Sequence, residues 1–231
     1  MRLLALDTCL DACSAAVADC ESGRVAGHWE AMRQGHAERL FPMLQTVLAE
    51  AGLTLDQIER IAVTIGPGTF TGTRIGIAAA RGIALATGAR IFCATSLSLL
   101  AASARPQLFQ SERSRPLAVC LDARKGEVML EICGPAAAAI LGRPQVLTPS
   151  QAAAAIHAQV ADAILIGTAG ALVAQAAEDQ GLQLAHALPT ALPDARYLAA
   201  IALSEVAAPA PLYLRPPDAK PQIDKSLVSS P

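Results

Sequence analysis

One stretch governs what this chain can fold into: G-P-G-T-F-T-G-T-R-I-G at residues 66–76, directly after the apolar run I-A-V-T-I at 61–65. A short apolar run reads as a buried strand, and glycines at 66, 68, 72 and 76 ask for a tight turn before a helix. A strand, a glycine loop and a helix in that order belong to α/β architecture, and the free amides at the head of such a helix attract anions. The phosphate-binding motifs nevertheless do not fit. A Walker loop needs Lys and then Ser or Thr after its last glycine, whereas Thr73 and Arg74 follow Gly72. A dinucleotide fingerprint needs G-x-G-x-x-G, and Gly66, Gly68 and Gly72 are spaced one residue too wide for it. On its residues alone the loop is either an anion cradle or a tight turn where two helices or subunits meet, and both readings stay open.

The flanking sequence continues the α/β alternation. Apolar runs at 2–6 and 14–18 around D-T-C-L-D-A predict a hairpin, and a third strand is expected at 24–31. From 36 to 50 apolar residues fall at 40, 41, 44, 47 and 48, a helical spacing. Pro42 inside it predicts a kink or a late start, and Gly52 a C-cap. A strand at 60–65, a helix at about 72–87 ended by Gly88, a strand at 90–94 and a helix from near Thr95 complete a first unit. The polar segment 105–115 is a break, after which 116–133 reads as strand, turn and strand. A helix at 149–161, a strand at 163–167 and a helix at 169–180 follow. A second break at 187–195 precedes a helix near 195–206 that returns to the first unit.

Two hairpin-led units thus succeed each other, with Asp7 and Asp122 each at the end of an apolar strand entering a turn. That duplication resembles the two-lobed architecture of the actin-like ATPases. The expected boundaries are 1–104 with 194–215 for the first lobe, 105–193 for the second, and an extended or disordered Pro-rich tail at 216–231. With 231 residues the chain can bury one sizeable core or two small lobes.

Composition removes several function classes. Hydrophobic residues at 53% and charged residues at 16% describe a globular chain. The longest apolar region, 163–177, is split by Gly167, Thr168 and Gly170, so no bilayer span of about 18 residues arises. The N-terminus runs straight into a strand pattern, and the chain is read as cytoplasmic. Six dispersed cysteines without a C-x-x-C pair read as buried thiols rather than zinc ligands. A formal charge of −2 gives no basic field for gripping nucleic acid alone. His36 and Glu38 begin a helical metal pattern, but Leu40 stands where the second His is needed, so no metal ligand is assigned. Asp7, Asp11 and Asp122 suit either magnesium and proton transfer or turn formation. No G-x-S-x-G elbow occurs, and no catalytic residue is assigned.

Five motifs, A-L-D-T at 5–8, H-A-E-R-L-F-P at 36–42, the glycine loop at 66–76, D-A-R-K-G-E-V at 122–128 and Y-L-R at 213–215, fall in the order and spacing of one family. On them the chain resembles the TsaB (YeaZ) proteins of tRNA threonylcarbamoyladenosine biosynthesis. Departures are Thr69 for the usual Ser, Thr73 for Leu and Met129 for an aromatic. The resemblance implies a degenerate two-lobed actin-like fold (the ASKHA, ribonuclease H-like class) without catalysis or peptidase activity of its own. It implies an essential partner of the paralogue TsaD in modifying adenosine 37 of tRNAs that read codons beginning with adenine. TsaE, an ATPase, would complete a ternary complex, tRNA would be met only through the complex, and the chain alone would form a homodimer. No cofactor is expected on this chain; ATP, magnesium and a TsaD-bound metal belong to the complex. Partner contacts are expected at His36, Leu40, Leu44, Val47, Phe70, Arg74, Ile75, Ala79 and Ile83. A vestigial nucleotide or anion site is expected at Asp7, Thr8, Gly66, Gly68, Gly72 and Asp122. The alternative is an active ATPase or small-molecule kinase of the same fold, using Asp7 and Asp122 around magnesium.

Overall fold

A computed structural model describes residues 1–19, 21–136, 139–201 and 203–215. Strand β1 (Arg2–Asp7) is buried along almost its whole length, as its uninterrupted apolar sequence requires of a strand covered on both faces. It pairs antiparallel with β2 (Ala12–Asp19), which pairs antiparallel with β3 (Arg24–Ala31). Helix α1 (His36–Ala51) follows, then β4 (Arg60–Thr64), α2 (Phe70–Thr87) and β5 (Arg90–Ala94). Strands β4 and β5 run parallel to β1 on its other side.

Helix α3 (Ser96–Ala104) leads to the second sheet, whose first two strands are β6 (Leu117–Asp122) and β7 (Val128–Cys133). Next come β8 (Gln145–Leu147), α4 (Pro149–Val160), β9 (Ile164–Ile166), α5 (Gly170–Glu178) and β10 (Ala185–Ala187). The two-residue β11 (Ser204–Glu205) returns to pair with β5. The first sheet has the order β3-β2-β1-β4-β5-β11 and the second β8-β7-β6-β9-β10. Their first five strands match in order and direction, so the duplication anticipated from the two hairpins is present in the topology, and the fold is two-lobed actin-like α/β.

Alternation along the strands decides what packs where. Leu4, Leu6, Ile61 and Val63 face α1 and α2, while Leu3, Ala5 and Ala62 face α3 and the 195–201 segment. In the second sheet Ala118 and Cys120 face α4 and α5, and Leu117, Val119 and Leu121 face α3. Every residue of α3 is buried. Leu97, Leu100 and Ala104 meet the second sheet while Leu99 and Ala102 meet the first, so this one helix joins the lobes.

The sequence reading needs correction at four places. Helix α1 starts at His36 and continues through Pro42; the carbonyl that Pro42 deprives belongs to exposed Glu38, where water can take its place. Helix α2 starts at Phe70, because Thr69 caps it with its hydroxyl on the Gly72 amide. Residues 195–206 are not one helix: a 3-10 turn (Ala195–Ala200) is followed by edge strand β11. The three-residue strands β8 and β10 were not read at all, being too short to show alternation. The tail expected at 216–231 lies outside the described residues.

Because α3 carries the joint between lobes, Leu97→Ala should remove a fully buried side chain from it and cost about 2–5 kcal/mol. Urea unfolding followed by the fluorescence of Trp29 measures this; a loss under about 1 kcal/mol would show that the joint lies elsewhere.

Candidate functional site

The glycine loop lies directly on the turn that follows β1. The Thr69 amide donates to the Cys9 carbonyl at 2.8 Å, and the Thr8 hydroxyl donates to the Gly72 carbonyl at 2.7 Å. A Cβ at Gly68 would stand 2.2 Å from the Cys9 oxygen, and one at Gly72 would stand 2.1 Å from the Thr8 oxygen. These two glycines therefore serve the close approach of one backbone to another. Gly66, at φ 99°, sits in a left-handed conformation, and its carbonyl accepts from the Ser96 amide at the head of α3. The turn of the first hairpin is covered by the backbone of the glycine loop.

Beneath that lid Asp7 and Thr8 are wholly buried. Asp7 bonds the Thr64 hydroxyl through Oδ1, which also accepts from the Cys9 amide at 3.4 Å, while Oδ2 has no partner among the described residues. Burial pushes the Asp7 carboxyl up to about 6, against the opposing pull of Thr64, the Cys9 amide and His36. The Cys9 thiol is pushed up to about 12, first by burial and then by Asp7, so it is no nucleophile. His36 is buried with Nε2 3.1 Å from the Leu10 carbonyl, and it fixes the same turn from the side of α1.

The second lobe presents a different carboxylate. Asp122 is exposed, and its Oδ1 accepts from the Arg124 amide at 2.7 Å. It opens a turn in which Arg124, Lys125 and Gly126 all have positive φ (62°, 55° and 75°), a conformation that costs the first two strain. Between this turn and the glycine loop lies a cleft of 570 Å³, with Leu10, Gly68 and Phe70 on one wall and Asp122, Arg124 and Met129 on the other. Asp7 does not line it. The two aspartates that sequence symmetry pairs are thus separated in role, one sealed inside a lobe and one on the cleft wall.

Residues 212–215 strap the cleft. The Leu212 amide donates to the Ile65 carbonyl at 2.7 Å. Tyr213 stacks on Phe70 with ring centroids 6.1 Å apart and accepts from Arg74 Nε at 3.0 Å, while the Arg74 guanidinium lies 3.5 Å over the Phe70 ring. Arg215 then crosses to the second lobe, donating to the Ala123 and Arg124 carbonyls and pairing with Glu127. The Y-L-R motif therefore ties the start of α2 to the strained turn. Sequence reasoning singled out Y-L-R only as a family mark; the conformational demand at 124–126 was invisible because only one of the three residues is glycine.

Most of the expected partner contacts require correction. Leu40, Leu44, Val47, Ala79 and Ile83 lie in the core that α1 and α2 make with the first sheet, Ile75 packs half-buried against it, and His36 is buried beside it. Of the expected set only Phe70 and Arg74 are exposed. The outward faces carry Phe41, Gln45 and Ala49 on α1 and Ala78, Gly82, Leu85 and Ala86 on α2. With alanine and glycine on both faces of α2, spacing did not tell inside from outside. Among the described residues no three His, Cys, Asp or Glu side chains gather as a metal-holding group, and no helix is long and apolar enough to cross a membrane.

Comparison with known proteins places this geometry among relatives. A family model described as TsaD, tRNA N6-adenosine threonylcarbamoyltransferase, matches residues 29–208. The tRNA threonylcarbamoyladenosine biosynthesis protein TsaB of Escherichia coli is 37% identical over 128 residues, 55% of this chain and 53% of that protein. The protein of the same name from Haemophilus influenzae is 34% identical, over 55% and 52%. The chain spans about half the length of the curated relatives it matches. The solved structure of YeaZ from Pseudomonas aeruginosa superposes with a TM-score of 0.77 at 31% identity, covering 92% of this chain and 99% of that one.

Two variants probe the sealed hairpin. Gly72→Ala drives a Cβ into backbone that has no room to move, and should destabilise the fold by more than about 2 kcal/mol in urea unfolding; a neutral outcome would mean that loop and turn are not in contact. Folded Asp7 holds its proton up to about 6, against 3.8 when unfolded. The native state therefore binds more protons inside that window, and stability falls as pH rises through it, by on the order of 2–3 kcal/mol. Asp7→Asn should remove that share of the slope between pH 4 and 7; an unchanged slope would show Asp7 ionised in the fold.

Proposed function

The chain belongs to the TsaD family of tRNA N6-adenosine threonylcarbamoyltransferases, on its TsaB (YeaZ) branch, and on that footing we propose that it is a subunit without chemistry of its own. The observation that carries this reading is the close packing of the glycine loop on the turn after β1. The backbone at Gly68 and Gly72 lies against the carbonyls of Cys9 and Thr8, which supports reading the first hairpin as closed to a nucleotide, and the carboxylate below is sealed and largely uncharged at mildly acidic pH. The role left to such a chain is to bind and orient a catalytic partner. In this proposal the partner is the TsaD paralogue, which transfers a threonylcarbamoyl group to adenosine 37 of tRNAs reading codons that begin with adenine. TsaE joins as a third component, and ATP, magnesium and a metal act on those partners rather than here. The chain's charge of −2 agrees with tRNA being held by the complex as a whole.

The docking face in this proposal is the outward side of α1 and α2, not the residues first assigned from sequence. Leu85 is 90% exposed, Phe41 53% and Phe70 58%, a density of bare apolar side chains that calls for a cover. Ala78, Gly82 and Ala86 recur every fourth residue of α2, and a Cβ at Gly82 meets nothing within 4 Å, so another helix can come close. In the absence of TsaD the same face serves a second copy of the chain.

Reconstitution of threonylcarbamoyladenosine on unmodified tRNA, with and without this chain, tests the role: product should require the chain. Magnesium-dependent ATP turnover by the chain alone, lost in Asp122→Ala, would instead establish the enzyme reading. Leu85→Arg should leave the fold intact, yet weaken association with TsaD at least tenfold in co-elution or calorimetry by burying an unpaired charge. Unchanged affinity would remove this face from the interface.

A further inference from the structure

The joint between lobes contains one acid. Glu131, in the middle of β7, is 1% exposed, and its Oε2 accepts at 2.5 Å from the hydroxyl of Thr95, the residue that caps α3. Among the described residues its Oε1 has no hydrogen-bond partner. The elements around it offer little countercharge. Helix α3 and strand β8 carry no titratable side chain, and Val119 of β6 lies opposite Glu131 in the ladder. Cys120 and Asp122 are the ionisable groups of β6, His157 that of α4, and Cys133 lies two residues on along β7. Arg105, just beyond α3, is engaged with the carbonyls of Arg113, Arg115 and Gly134. Among the described residues no ion pair includes Glu131.

We propose that Glu131 is a protonation-controlled latch between the lobes, whose neutral form keeps β7 closed against the head of α3 and whose ionisation drives that seam to open. A carboxylate buried in the seam is largely desolvated and, among the described residues, forms no ion pair, and the Thr95 hydroxyl and Ser98 amide offset only part of the loss. Burial accordingly pushes the group from 4.5 up to about 7. The closed seam holds a proton that the opened, hydrated seam releases, so opening becomes easier as pH rises through that window and levels off above it. The latch therefore governs how readily the lobes part, and with them the walls of the strapped cleft.

Amide hydrogen exchange in α3 and β7 of the intact chain, corrected for intrinsic rates, tests this at pH 5 and pH 7. Protection is expected to fall about fortyfold further in the wild type than in Glu131→Gln between those values, the Asp7 share being common to both. Level protection in the wild type, or an equal fall in the variant, would overturn the latch. Should the variant not fold, a carbon-13 titration of the Glu131 carboxyl in the native chain decides: a midpoint well above 4.5 supports the proposal, and one at or below 4.5 ends it.

Discussion

Contact between two stretches of backbone, residues 66–72 on the turn at 8–10, underlies most of what is distinctive here. It exists because two positions lack a side chain: any Cβ at Gly68 or Gly72 would enter a carbonyl oxygen. Once the loop is seated, Thr69 is placed to cap α2, and that fixes where the helix begins and turns Phe70 and Arg74 outward. The same seating roofs over Asp7 and Thr8 and removes them from solvent.

A second constraint is the sharing of α3 between two sheets. Nine small and aliphatic residues, all buried, let the sheets approach from opposite sides, and the high alanine and serine content of the helix makes that thickness attainable. Two buried acids, Asp7 under the glycine loop and Glu131 at the α3 joint, each keep one oxygen unpartnered among the described residues. Both are raised chiefly by burial, so both favour the neutral form of a group that water would ionise. The strap at 212–215 closes the opposite side, so the lobes are coupled by a dry helix within and by an aromatic and cationic stack at the cleft mouth.

Much of this was legible in the residues. The apolar runs, the glycine punctuation and the repeated hairpin with its terminal Asp determined an α/β chain in two similar units, because strand periodicity and turn chemistry are local properties. The missing Lys after Gly72 and the Leu at position 40 likewise departed from the Walker and helical metal-pair patterns in the residues themselves. Only the tertiary structure decided which helix face is inside: Leu40, Leu44, Val47, Ala79 and Ile83 proved to be core, and Ala78, Gly82 and Leu85 surface, since alanine sits equally well on either side. It alone showed Asp7 sealed and Asp122 on the cleft wall, and Glu131 set against Thr95 from thirty-six residues away. Burial and the pairing of distant polar groups depend on which chain segments come to lie beside one another, and that is a property of the whole packed fold rather than of any local run of residues.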